Sequence, residues 1–314
     1  MRLLDRFKTA ITLIKHSVGV MRSHPRLALF PVLSGVFGLV FLALVMTPML
    51  GVLSLDAGTA ATRVVGVAVI GLLYLGTAFI TSFFTAALVH QTRAVLGGEE
   101  PDLRNGIDGA WEVKGPLFVW AFISATVGLV LDAISESDSM VGQVLSAIFG
   151  IAWTLMTFFV IPVIVFEKPS VREMFERSAG LFRDTFGETP ISLAGVSIVG
   201  LLAALPALVP GAYLLFVAGQ PLAGIPLFVV GVLTAQLLSS TLRGIVKTSL
   251  YFYATEEQRP DEFDGIFDQL DLGANRLELA LDLLGLVLGD LLLDGLAAGL
   301  DGVLGLLEAG AGDR

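Results

Sequence analysis

The sequence predicts an all-α fold: a polytopic transmembrane helix bundle of six spans, arranged as three repeats of an interfacial helix plus a transmembrane hairpin. Three observations carry this. Hydrophobic residues fill 55% of 314 positions and charged residues only 15%, where ordinary soluble domains are about 25% charged. Mean hydropathy is +0.83. The apolar residues fall in runs long enough to cross a bilayer, which takes about 20 of them in a helix.

The elements follow in order. Leu4, Phe7, Ile11, Ile14, Val18 and Met21 are spaced by threes and fours and form one helical stripe. Arg2, Arg6, Lys8, Lys15 and Arg22 lie off it. A basic amphipathic helix of this kind suits the surface of an anionic leaflet, with packing on the bundle as the alternative. Pro25 precedes the first span, which runs from about Leu27 to Leu50. That run starts 26 residues in, exceeds the length of a signal h-region and has no small-x-small site behind it, so it reads as a span and not as a cleaved signal.

The second span is expected from about Val64 to Val89, and the third from about Gly115 to Ile134 with Asp132 near its end. Between them Leu103, Ile107 and Trp111 stand four apart on a short amphipathic helix after Pro101-Asp102. The fourth span runs from about Met140 to Phe166. A third amphipathic helix, Ser170 to Gly187, follows with Val171, Phe175, Phe182 and Phe186 on one side. Ser170 with Glu173 three residues on has the pattern of a capping box. The fifth span, about Pro190 to Ala218, is interrupted by Pro206 and Pro210, and the sixth runs from about Pro221 to Leu242.

Basic residues set the orientation. Loops on one side hold 16 Lys and Arg; the alternate loops hold Arg63 alone. Positive-inside counting therefore expects a multi-pass protein of the cell membrane with both termini cytoplasmic. The order of interfacial helix, span, span recurs three times. Phe83-Phe84 and Phe158-Phe159 sit at similar depths in spans two and four. Repeats of this kind frame a central site in some transporters and are plain duplication in other proteins.

Net charge is −10, and its location matters more than its size. Residues 254–314 hold 14 acidic and 3 basic groups, whereas residues 1–253 hold 15 and 16. The chain accordingly divides into a transmembrane domain with its cytoplasmic helices, 1–258, and an acidic cytoplasmic tail, 259–314. In the tail Glu262, Asp264, Gly265, Asp268 and Asp271 match part of a calcium loop, but Pro260 occupies its first ligand position and the reading is a solvated acidic linker. Asp282, Asp290, Asp294, Asp301 and Glu308 share one broad face of a Leu-rich segment. Five acids disfavour a seventh span, so that segment reads as one amphipathic helix packed on the bundle or on another copy, or as a weakly structured tail.

At this point the residues resemble a known family. Leu29-Phe30-Pro31-Val32-Leu33-Ser34-Gly35 resembles the opening of an uncharacterised family of prokaryotic six-span integral membrane proteins (domain of unknown function 6159). Gly109-Ala110-Trp111 with Ser124-Ala125-Thr126-Val127-Gly128 is similar to it as well, and so is Phe158-Phe159-Val160 with Pro162 followed by Arg177-Ser178. The resemblance covers about residues 1–258. It implies a topology and no activity, so it supplies no functional residues.

The chemistry-bearing residues are few. The absence of cysteine excludes disulfides, thiolate nucleophiles and Cys-ligated metals. His16, His24 and His90 form no zincin pair, and no P-loop or G-x-S-x-G motif is present. No catalytic, cofactor-binding or metal-ligating residue is assigned, no cofactor is expected, and the basic face of residues 2–22 lacks the aromatics of a nucleic-acid platform. No charge lies near the midpoint of a span. Thr77, Thr81, Ser82 and Thr85 in span two, with Gln236, Ser239 and Ser240 in span six, are read as interhelical hydrogen-bonding groups, a substrate path being the sharper alternative. Arg243 and Lys247 share a helical face past span six. They are read as orienting, snorkelling charges, with an anionic lipid headgroup as the alternative. Small residues four apart, Ala121/Ala125, Ser124/Gly128 and Ser146/Gly150, favour close helix approach. The expected role is a non-enzymatic organiser or accessory subunit; the alternative is a transporter or lipid-handling protein. Expected partners are membrane lipids and proteins met through the cytoplasmic helices and tail, with room for a homo-oligomer.

Overall fold

A computed structural model describes residues 17–53, 60–135, 140–185 and 189–255. Among the described residues every regular element is helical. A short helix, α1, covers 17–23. After the 3-10 turn Pro25–Ala28 come α2 (Leu29–Leu53), α3 (Ala60–Leu96), α4 (Leu103–Glu112), α5 (Lys114–Ser135), α6 (Met140–Met156), α7 (Val160–Glu167), α8 (Val171–Asp184), α9 (Thr189–Ala212) and α10 (Pro221–Thr255). A π turn, Tyr213–Val217, closes α9. Among the described residues six segments are long and apolar enough to cross a membrane: α2, α3, α5, α6 with α7, α9 and α10. The chain is a multi-pass membrane protein. The tail, with its calcium-like pattern and expected helix, lies outside the described residues, as do residues 1–16 of the opening stripe.

Expected spans and observed helices agree at most starts and differ at two ends. α3 continues to Leu96 and α10 to Thr255, beyond the expected Val89 and Leu242. At 1.5 Å per residue, 37 and 35 residues reach about 55 Å and 52 Å, well past a hydrocarbon core of about 30 Å. The extensions hold because they carry the core. Ala86, Ala87, Val89, Leu242, Ile245, Val246 and Leu250 are fully or almost fully buried, while Arg93 and Arg243 point outward. His90, Arg93, Arg243 and Lys247 therefore stand on helix and not in loops.

The core gathers at the end of the bundle where α4 and α8 lie. Leu27, Phe30, Leu117, Phe159, Ile164, Leu181 and Tyr251 are all within it. At the other end the spans carry exposed apolar side chains such as Leu39, Leu44, Val67 and Leu222, as surfaces facing lipid do. α1 joins the core side: Val18, Val20 and Met21 pack against it, so the described part of the opening stripe is bundle-packed.

The two amphipathic helices are present, and the expected stripes are buried in part: Leu103, Phe175 and Phe182 pack on or in the core, while Trp111 and Val171 do not. On α4, Asp102 caps the start by accepting from the Arg104 N–H at 3.1 Å. Gly106, Ala110 and the following Val113 are buried, while Trp111 is 58% exposed. Gly106 permits this, because a Cβ there would come 2.6 Å from the Phe30 ring. On α8 the Glu173 carboxylate reaches back to the Ser170 N–H at 2.9 Å, the reciprocal arm of the expected capping box. The buried side is Met174, Ser178, Leu181 and Phe182; Val171 is exposed, and Phe186 lies outside the described residues.

Two spans also differ from expectation. The fifth is not broken at its prolines: α9 continues through Pro206 and Pro210 to Ala212. Proline is tolerated in apolar spans where neighbouring groups or local π adjustments satisfy the freed carbonyls. The break falls in the fourth span, at residues 157–159 between α6 and α7. The expected grouping in threes is visible only in the order of elements, for Phe83-Phe84 lie mid-helix and Phe158-Phe159 lie at the break.

Candidate functional site

The break is held by one side chain. Ser178 of α8, 0% exposed, accepts from the Phe159 N–H at 3.0 Å and donates to the Met156 carbonyl at 2.7 Å. Both backbone groups would otherwise face an apolar interior without a partner, at a cost of several kcal/mol in lipid. Pro162 lies in the first turn of α7, where its missing N–H is tolerated. Phe158-Phe159, Pro162 and Arg177-Ser178 thus belong to one device.

The break also opens one wall of a cavity of about 570 Å³ between α3, α5, α6–α7 and α10. Small-molecule sites run from about 300 to 1,000 Å³. From α3 come Tyr74, Thr77, Ala78, Thr81, Ser82 and Thr85. Their spacing of 3, 1, 3, 1 and 3 is a single helical stripe. It extends about 16 Å along the axis. α5 adds Trp120, Ser124, Ala125 and Gly128. α6 and the break add Trp153, Thr154, Thr157 and Phe158. Lys247 reaches in from α10.

Aromatic packing fixes the wall at the α4/α8 end. Trp120 and Trp153 stack with ring centroids 5.9 Å apart and planes 13° from parallel. Phe175 of α8 supports both, at 6.0 and 5.9 Å. The Ser146 hydroxyl pins α6 to α5 by donating to the Leu131 carbonyl at 2.9 Å. At the other end the Tyr74 hydroxyl donates to Asp132.

The polar groups of the wall fall into two sets. Thr77, Thr85, Thr154 and Thr157 donate to carbonyls one turn back, at 2.6–2.7 Å. Their donors are spent, and their lone pairs face the cavity. The side-chain hydroxyls of Thr81, Ser82 and Ser124 are not engaged by another described residue. The Lys247 ammonium lies 4.8 Å from the centroid of the Phe158 ring and has no carboxylate within ion-pair distance among the described residues. The Arg243 guanidinium is turned away, its Nε donating to the Ser239 carbonyl at 3.1 Å.

Sequence reasoning therefore found one half of the polar lining. Thr77, Thr81, Ser82 and Thr85 share the cavity; Gln236, Ser239 and Ser240 do not. Gln236 is exposed, Ser239 packs against Gly200 of α9, and Ser240 donates to Leu237. Arg243 and Lys247, expected on one helical face, part company: Lys247 enters the cavity and Arg243 does not, which depends on how α10 is turned against α3. The Trp pair and Ser178 carried no signal of their own, since each looks like ordinary packing until the partner helices are placed. His90 lies elsewhere, its ring against Gly109 and its Nδ1 buried without a partner. Among the described residues no group of His, Asp and Glu is arranged to hold a metal.

A family model described as a family of unknown function (DUF6159) matches residues 64–260. The match takes in all the cavity residues and Ser178, and it leaves out Leu29–Gly35. No curated protein and no solved structure matches the chain.

Proposed function

The chain belongs to DUF6159, a family of unknown function, and from that premise we propose that it works without catalysis, as a lipid-handling protein of the cell membrane. The observation that carries the reading is the cavity between α3, α5 and the broken span, with hydroxyls along one wall and Lys247 at one end. Amphiphile sites combine an apolar bed with a few placed polar groups, and this cavity has both. Exposed Thr77, Thr81 and Thr154 border it, so it is reached without unpacking the core.

In this reading the α4/α8 end faces the cytoplasm, as the basic residues expect, and both termini lie there. The test is lipid analysis by mass spectrometry of gently purified full-length protein and of Thr81→Phe with Thr154→Phe. Both threonines are exposed, so the new rings fill the cavity without displacing core. Lipid retained by the wild type and lost from the double variant is the expected result. Identical lipid content in the two, or none in either, would remove the cavity as a lipid site.

A second reading is the organiser role, meeting proteins through the cytoplasmic helices and acidic tail, alone or as a homo-oligomer. Its support is that α4 and the α7–α8 turn form one charged platform, joined by Lys168 to Glu112 at 3.3 Å, with Arg104, Asp108, Arg172 and Glu176 outward. Purification with and without residues 260–314 tests it: a protein partner that vanishes with the tail favours the organiser, and its persistence counts against the tail as the docking segment.

A further inference from the structure

Among the described residues Lys247 is the one charged group in the lining of the cavity. Its ammonium meets the face of Phe158 and, among the described residues, no carboxylate, and Arg243 on the same helix adds a second positive charge nearby. A lysine that merely orients a span points to water or headgroups at the rim. This one is half-buried and turned into a cavity that also offers the unused hydroxyls of Thr81, Ser82 and Ser124. At the end marked by Tyr74, Asp132 is engaged by the Tyr74 hydroxyl and is not among the lining residues. Among the described residues the cavity thus holds a positive charge with no carboxylate beside it, together with hydroxyls that are not engaged by protein.

Depth adds an independent constraint. From Pro221 to Lys247 the helix climbs 26 residues, about 39 Å. The hydrocarbon is about 30 Å thick and the bilayer with headgroups about 40–45 Å. A helix entering at Pro221 thus brings Lys247 to the depth of lipid phosphates on the α4/α8 side. Counted from Val64, Thr85 lies about 31 Å along α3 and Tyr74 about 15 Å. The stripe between them leads from headgroup depth to the bilayer midplane, with Ala78, Ala125 and Gly128 facing the same space.

We propose that the cavity binds an anionic phospholipid of the α4/α8-side leaflet, its phosphate on Lys247 and one acyl chain along the α3 stripe toward Tyr74. This rests on the lipid-handling reading and adds the headgroup class, the residue that selects it and the direction of the chain. A zwitterionic lipid brings its own cation to a site that already has one without a counter-charge. An anionic headgroup leaves Lys247 neutralised and the hydroxyl donors occupied.

The three tryptophans give the readout. With Trp111→Phe, emission comes from Trp120 and Trp153, both in the wall. The full chain carrying that change is titrated in mixed micelles with phosphatidylglycerol or phosphatidylcholine brominated on the acyl chain. Saturable quenching by phosphatidylglycerol is expected at a mole fraction on the order of tenfold lower than by phosphatidylcholine, the size of one charged hydrogen bond. Lys247→Gln should equalise the two lipids, and Lys247→Arg should keep the preference, which separates lost charge from lost fold. A preference that survives Lys247→Gln overturns the headgroup assignment and leaves the cavity reading intact. Quenching that never saturates with either lipid, and is the same in Thr81→Phe, overturns both. Displacement by soluble glycerol 3-phosphate would overturn the lipid as occupant and make a soluble phosphate ester the ligand.

Discussion

Ser178 is a small residue with two backbone clients. Its hydroxyl serves Phe159 and Met156 together, so replacing it strands a donor and an acceptor inside the core. Ser178→Ala should lower stability by about 1–3 kcal/mol, read as a fall in Tm of the purified protein in detergent. An unchanged Tm would mean that water or another group serves the break. Glu173 gives a second residue-scale expectation. The Ser170 hydroxyl, and then the Ser170 N–H, hold its carboxyl below the ordinary 4.5. A depressed folded pKa means the contribution is present above the unfolded value and lost as pH falls through the folded one. Amide protection at the first turn of α8, the exchange rate taken relative to that of an unstructured peptide at the same pH, should therefore fall as the pH drops below about 4.5. In Glu173→Gln the same amides should exchange fast already at neutral pH. Equal exchange in both proteins across that range would detach the box from α8. The box itself was legible, as Ser170-x-x-Glu173 just before an amphipathic stretch. Ser178 was not, because a serine on a helix face declares nothing until the break it fills is known.

At the scale of elements, α9 and α10 form a hairpin that packs mainly on itself. Gly211 sits where a Cβ would come 2.5 Å from the backbone nitrogen of Phe228. Backbone yields less than a side chain, so Gly211→Ala should cost about 1–3 kcal/mol as an overpacked contact. Thermal unfolding measures this, and a Tm equal to wild type would show that the hairpin spreads freely. The spans themselves were legible because burial in lipid needs only apolar length. Their ends were less so. Leu242, Ile245, Val246 and Leu250 pack inward while Arg243 faces out, and an average over such a stretch falls although the helix goes on. The buried faces of α4 and α8 were legible only in part, through Leu103, Phe175 and Phe182; Gly106, Ala110 and Ser178 pack by being small, and a search for large apolar stripes passes over them.

For the whole molecule, α3 lies among α2, α4, α5, α7 and α10. Glu167 ties three elements at the α4/α8 end, accepting from Tyr251 at 2.8 Å and from Arg177 at 3.0 Å. The orientation of this end is open to a direct test, because the natural chain has no cysteine. Single cysteines at Ser137, which lies outside the described residues, and at Ser170 should label from opposite sides of the membrane, with Ser170 cytoplasmic. Labelling from one side would break the six-span topology. The fold class was legible from composition and the loop charges. The cavity was half legible, since the α3 hydroxyls are visible in sequence and the side on which α10 faces them is not.

The repair of the fourth span has a consequence for biogenesis. Ser178 follows Met156 by 22 residues, so translation delivers the gap in the helix before it delivers the group that closes it. The two peptide groups of the gap therefore leave the ribosome ahead of the hydroxyl that answers them. That stretch becomes a finished membrane element only once α8 has emerged and folded back. Assembly of this part of the bundle therefore has a fixed chronology, in which a helix lying at the surface completes a span made earlier.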